Sequence, residues 1–271
     1  MKVGYLGPDG TFSQLAAEKY IATLAEGAEA VAFSSIPALA AAADGGMVDT
    51  AVLPIENSLE GGVNTTLDCL AFDFNLTICD EILLEVHQNL LGNTEIGRVK
   101  KLYSHPQPVG QCAQFLAGKL PGVEIIYTNS TAEAAELATK EADSAALGGL
   151  LLADIYGLRI LAKSVEDASR NTTRFVAVRK GSPVISAADK TSVVFSVENT
   201  PGALFKMLSV FDIFAINMMK IESRPAKTIL GEYVFFVDIE GTPEVENIRR
   251  ALDVVEYKST FFKVLGSYKS K

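Results

Sequence analysis

The stretch Asn171-Thr172-Thr173-Arg174-Phe175 sets an amide, two hydroxyls and a guanidinium at the mouth of an apolar run, Phe175-Val176-Ala177-Val178. Such groups bind an anion and donate a proton, although Thr and Asn before a strand are also ordinary turn residues. Similar polar groups stand at other strand ends: Asn57 and Ser58 after Pro54-Ile55-Glu56, and Ser104 with Gln111 further along the following helix. A site made of amides and hydroxyls orients carboxylates and stabilises a leaving group, with little covalent or redox power. It suits a reaction that is already strongly downhill.

Other chemistries find no support. Gly4-x-x-Gly7-Pro8-x-Gly10 departs from a dinucleotide fingerprint, and Pro8 removes an amide that would face a pyrophosphate. The two histidines, His87 and His105, lie in no nucleophile-elbow context, and His105 between Ser104 and Pro106 reads as a turn residue. Three cysteines, Cys69, Cys79 and Cys112, lack Cys-x-x-Cys spacing, so buried thiols are expected rather than a disulfide or a metal site.

The elements that position these groups alternate. Residues 2–6, 30–33, 50–53, 101–104, 124–127 and 145–148 read as strands. Residues 11–25, 36–43 and 131–141 read as helices, with Thr11 or Ser13 and Ser130 as caps. This order predicts an α/β region with parallel sheets and covered faces. The long run 76–91 breaks the pattern and reads as a crossing into a second lobe. Residues 1–75 with 160–181 then form lobe one and 76–159 form lobe two, with a cleft between them where small polar ligands bind. Gly181, Ser182 and Pro183 mark a linker. Residues 190–271 follow as βαββαβ, the ferredoxin-like order, whose edge strands are free to pair with a second chain.

Of 271 residues, 48% are hydrophobic and 21% charged, a globular profile. No stretch approaches the ~18 apolar residues of a membrane span, and the first residues carry no export signal, so a soluble cytoplasmic protein is expected. Residues 190–271 hold 11 Lys and Arg against 10 Asp and Glu, so residues 1–189 hold 13 against 23 and a net charge of −10. Neither part offers a basic field for nucleic acid.

Six segments in order resemble the prephenate dehydratase family with a C-terminal ACT regulatory domain. They are Gly7-Pro8-x-Gly10-Thr11-Phe12-Ser13, Pro54-Ile55-Glu56-Asn57-Ser58, Ser104-His105-Pro106-Gln107-Pro108 with Gln111-Cys112, Asn171-x-Thr173-Arg174-Phe175, Gly202-Ala203-Leu204 and Glu222-Ser223-Arg224-Pro225. The chain looks like the monofunctional form, without a chorismate mutase bundle. The resemblance implies a two-lobed catalytic region similar to periplasmic binding proteins. It also implies decarboxylative dehydration of prephenate to phenylpyruvate without metal or organic cofactor. The family's essential threonine falls on Thr173. Asn57, Ser58, Ser104, Gln111, Asn171 and Thr172 are then expected to bind or orient substrate.

Arg174 poses a geometric problem, because neighbouring strand residues point to opposite faces. It shares a site with Thr173 only if the motif still lies in the turn, and that is the expectation, since a dianion in an acidic domain needs a cation. Asn199, Gly202, Ala203, Leu204, Glu222 and Ser223 are implied as an L-phenylalanine effector site between ACT domains, in a homodimer or homotetramer. An arogenate dehydratase would share every motif. A non-catalytic amino-acid sensor is the alternative outside enzymes.

Overall fold

Short β-branched runs separated by capped helices build the first part of the chain. The computed structural model describes residues 1–168, 170–181, 187–227 and 232–271. In it β1 (Lys2–Leu6), β2 (Glu29–Phe33), β3 (Thr50–Asn57), β4 (Gly61–Gly62) and β5 (Leu76–Glu85) share one sheet. Between them lie α1 (Phe12–Ile21), α2 (Ile36–Asp44) and α3 (Asn64–Asp68). The hydroxyl of Thr11, not Ser13, caps α1 by accepting from the Gln14 amide, and Ser35 caps α2 in the same way. Each cap satisfies an amide that a first helical turn leaves unpaired.

The chain then enters a second sheet made of β6 (Asn89–Gly92), β7 (Lys101–Ser104), β8 (Glu124–Tyr127), β9 (Ser144–Gly148) and β10 (Arg159–Ala162), ordered β10-β6-β9-β7-β8. Its helices are α4 (Pro106–Gln111), α5 (Ala113–Lys119), α6 (Thr131–Lys140) and α7 (Leu151–Tyr156), and Ser130 caps α6. The return strand β11 (Thr172–Lys180) inserts antiparallel between β3 and β5. The first sheet is therefore mixed, in the order β2-β1-β3-β11-β5.

The crossing lies later than residue 76. Leu76 to Glu85 pair along β11 from Lys180 back to Thr172, so this run completes the first sheet, and residues 86–88 make the passage. The way back also shifts, because Arg159–Ala162 pairs with β6 in the second sheet. A long apolar run signals burial on both sides but does not report which strand it will meet.

The C-terminal unit runs β12 (Lys190–Ser196), α8 (Ala203–Ile213), β13 (Met218–Pro225), β14 (Tyr233–Glu240), α9 (Glu246–Lys258) and β15 (Phe261–Tyr268), with sheet order β13-β14-β12-β15. Helices α8 and α9 cover one face, where Val193, Phe195 and Val237 meet Met207, Phe211 and Val255. The other face has a different fate. Val194, Phe236, Leu265 and Tyr268 join Val176, Val178, Ile78 and Leu67 in a core shared with the first lobe. A Cβ on Gly266 would lie 2.2 Å from the Ile78 carbonyl oxygen, so only glycine lets β15 approach β5 this closely. In the expected linker, residues 182–186 lie outside the described residues. Among the described residues no helix is long and apolar enough to cross a membrane, and no cluster of three or more His, Cys, Asp or Glu is arranged to hold a metal.

Candidate active site

The two α/β lobes meet around a cleft of about 520 Å³. The first lobe contributes Thr11 to Ser13 at the start of α1, Asn57 at the end of β3, Glu60 to Val63, and Thr173 with Phe175 from β11. The second contributes His105 at the cap of α4, Gln107 and Gln111 within it, and Asn129 to Thr131 at the start of α6, while Val86 and Gln88 come from the passage between lobes. Thr173 faces Asn57 directly in the β11–β3 register.

A chain of amides links these groups, and its direction is set by the backbone. The Asn57 Oδ1 accepts from the Leu59 and Glu60 amides at 2.9 and 3.2 Å, which turns its Nδ2 toward Asn171 Oδ1 (2.8 Å) and Thr173 Oγ1 (2.9 Å). Asn171 then donates through Nδ2 to Gln111 Oε1 at 3.2 Å, and Gln111 Nε2 donates to Glu60 Oε1 at 3.3 Å. Because Thr173 Oγ1 already accepts from Asn57, its own hydrogen is left to donate to a ligand. Gln111 sits on the second lobe and Asn171 on the first, so the same amides tie the lobes together across the cleft.

Four of the expected substrate residues therefore converge: Asn57, Gln111, Asn171 and Thr173. Three do not line the cleft. Ser104 is fully buried and its hydroxyl donates to the His105 carbonyl, which anchors the start of α4. Ser58 Oγ accepts from the Thr172 amide at 3.0 Å, and Thr172, opposite Glu85 in the β11–β5 register, alternates with Thr173 along the strand.

Arg174 is also displaced, and for the reason alternation dictates. The motif is already regular strand, paired with Leu83 on one side and Glu56 on the other, so Arg174 points away from Thr173 and out of the cleft. With 11% of its side chain exposed, it meets Glu56 (3.3 Å), Glu81 (3.3 Å) and Asp238 (2.6 Å) between the first lobe and the C-terminal sheet. Burial works against its charge, but Asp238 foremost among its neighbours outweighs this and pushes the guanidinium pKa up. Arg174 is a buried link between domains.

Sequence reasoning passed over four cleft residues. His105 faces the cleft while its Nδ1 accepts from the Gln107 amide as the cap of α4. Thr131 and Ser13 stand in the first turns of α6 and α1, where free amides accumulate; their places after predicted strands were the available signal. Gln88 is 3% exposed and donates to Gln111 Oε1 at 3.3 Å, a contact between distant segments that no local pattern announces.

Residues 3–183 match the family model described as prephenate dehydratase. The chain belongs to the prephenate dehydratase family. Residues 191–256 match the ACT domain model, in agreement with the βαββαβ unit. The chain is 39% identical to the bifunctional chorismate mutase/prephenate dehydratase of Aquifex aeolicus, over 99% of this chain and 73% of that protein. The solved prephenate dehydratase of Arthrobacter aurescens in complex with L-Phe aligns at TM-score 0.89 and 31% identity, covering 100% of this chain and 90% of that one. A structure described as GqqA, a novel type of quorum-quenching acylase, aligns at TM-score 0.88 and 28% identity, over 100% and 98% of the two chains.

Within the ACT domain the candidate effector residues fall on two elements. Asn199 is exposed before α8, and Gly202, at φ 79°, takes the left-handed turn from which Ala203 and Leu204 start the helix. Glu222 and Ser223 lie on opposite faces of β13, the sheet edge. Strand β14 lies between β12, which leads toward α8, and β13, so these two strands are roughly 10 Å apart across the sheet.

Proposed function

We propose that the chain converts prephenate to phenylpyruvate, carbon dioxide and water, and that L-phenylalanine regulates this through the ACT domain. The observation that carries the catalytic reading is the Asn57–Thr173 hydrogen bond, which leaves the threonine hydrogen available in the cleft. In the reaction the bond to the ring carboxylate breaks and its electron pair enters the ring. The double bonds shift, the C–O bond at the opposite ring carbon breaks, and the departing oxygen takes a proton supplied by solvent to become water. Aromatisation supplies the driving force, so the protein must hold the dianion and aim the hydroxyl. Thr173 donates a hydrogen bond to that oxygen. An alkyl hydroxyl is too weak an acid to resemble a tuned general acid.

The substrate's charge needs another partner now that Arg174 is turned away. None of the described residues lining the cleft is Lys or Arg. The first turns of α1 and α6 open into the cleft from opposite lobes, and their free amides suit one carboxylate each. The likeness to an acylase has less support from this geometry. An acylase threonine would give its proton to a base, whereas among the described residues the Thr173 hydroxyl is hydrogen-bonded to the Asn57 amide and to no basic side chain.

The edge strand β13 exposes half of Met219 and nearly half of Ile221, which supports pairing with a second copy in a homodimer or a homotetramer of such pairs. A second copy would bring the missing half of an effector site to each edge. Three unpaired cysteines fit a reducing cytoplasm. Phenylpyruvate formation from prephenate, followed with and without L-phenylalanine, tests the whole reading. Product that declines with added phenylalanine is expected, and no product would sink it. Initial rates on prephenate and arogenate rank the two substrates, and light scattering gives the oligomer size.

A further inference from the structure

Strand β13 alternates along its length, and its inward face meets the first lobe at three points, one of them the cleft-lip residue Gly62. Lys220 Nζ lies 3.0 Å from Glu56 and 3.0 Å from Glu222, between the carboxylates but aligned as a hydrogen bond with neither. The Glu222 carboxylate covers Gly62 so closely that a Cβ there would lie 2.0 Å from Oε1. Arg224 Nη2 binds Asp68, at the end of α3, at 3.0 Å. Gly62 pairs with Glu56 and Gly61 with Asn57, so the lip is hydrogen-bonded to the strand end that carries the Thr173 partner. The lip also carries Glu60, which accepts from Gln111 across the cleft.

The charges in this cluster do not balance. Glu222, Glu56, Glu81 and Asp238 are in contact with three cations, Lys220, Arg174 and Lys190. One carboxylate is in excess at this end of the strand, while Asp68 further along the same face holds two cations, Arg224 and Lys227; Glu222, shared with a poorly aligned Lys220, is the carboxylate nearest the exposed edge. An amino-acid effector brings an ammonium group that would supply the missing charge.

We infer that β13 transmits the effector signal: the ammonium of phenylalanine draws Glu222 off Gly62 and Lys220, which releases the lip and disturbs Asn57 and Glu60. This rests on the preceding functional reading and adds the route by which regulation reaches the cleft. A ligand shifts such an equilibrium only through its different affinity for the two arrangements, so weakening the resting arrangement must also tighten the effector's binding. The test uses the full-length wild type, Lys220→Met and Gly62→Ala, with calorimetric titration of L-phenylalanine and prephenate turnover at zero and saturating phenylalanine.

In Lys220→Met, phenylalanine is expected to bind about threefold tighter or more while inhibiting less completely than in wild type. In Gly62→Ala the new methyl displaces Glu222, and phenylalanine is again expected to bind more tightly, a readout independent of any steric effect in the cleft. Inhibition of Lys220→Met to the wild-type extent overturns the inference whatever the affinity does. Unchanged affinity in Gly62→Ala overturns it equally. A wild type that neither turns over prephenate nor binds phenylalanine is a different failure, that of the functional reading itself.

Discussion

Replacing Arg174 with Met should cost stability far more than substrate affinity. The guanidinium contacts three carboxylates, but they do not lose equally. Glu81 keeps Lys190 at 2.8 and 2.9 Å, and Glu56 keeps Lys220. Asp238, largely buried, is left with the Ser192 hydroxyl at 2.5 Å and no cation. One uncompensated buried charge, rather than three, places the loss near the low end of a broken buried ion pair, about 3 kcal/mol. For a chain of this size that corresponds to a fall of about 6–12 °C in the melting temperature. Scanning calorimetry measures it, and Asp238→Asn in the same background should recover part of the loss by neutralising the stranded charge. KM for prephenate should stay within about threefold of wild type, because the side chain lies outside the cleft. A melting temperature within a degree or two of wild type, together with a hundredfold rise in KM, would refute the reasoning and return Arg174 to the substrate.

Other expectations concern titration and thiols. Hydrogen bonding to Glu166 at 2.7 Å raises the pKa of His87 against the opposing effect of burial. Its protonated form therefore stabilises the fold, fully below the unfolded value of about 6.5. That contribution is lost as pH rises through the higher folded value, so wild type should lose more stability than His87→Gln between pH 6 and 8, and equal losses would contradict the pairing. Cys69, Cys79 and Cys112 are all buried, and burial pushes Cys112 up to about 12 and Cys69 to about 11. A thiol reagent should find no fast cysteine in the native protein and three after denaturation; a fast native thiol would show that one of them reaches solvent.

What the sequence revealed follows from the range of its signals. Strands and helices of the two lobes were readable because caps such as Thr11 and Ser130 and apolar runs act locally, and the βαββαβ order needs only succession. Strand pairing is not local. The run from Leu76 could be seen as extended but not assigned to β11, which lies about a hundred residues later. The candidate site was similarly half visible. Asn57 ends a strand, Asn171 and Thr173 stand at the start of one and Gln111 closes a short helix, places where polar residues stand out, whereas the orientation of Arg174 depended on whether its backbone was already pleated. Ser58, Ser104 and Thr172 carry the same residue types as the cleft group, yet Ser104 serves the His105 carbonyl while Ser58 and the Thr172 amide serve each other, and composition alone does not separate the two uses. Gln88 enters the amide chain only because the two lobes close around it.

The central claim is that the Thr173 hydroxyl, held by Asn57, donates to the departing oxygen. Thr173→Val keeps the size and β-branching of the side chain and removes only that hydroxyl, so single-turnover formation of phenylpyruvate by this variant is the most direct measurement. A fall of about a hundredfold to a thousandfold at saturating prephenate, with the melting temperature unchanged, is the predicted result. Turnover within threefold of wild type would contradict it.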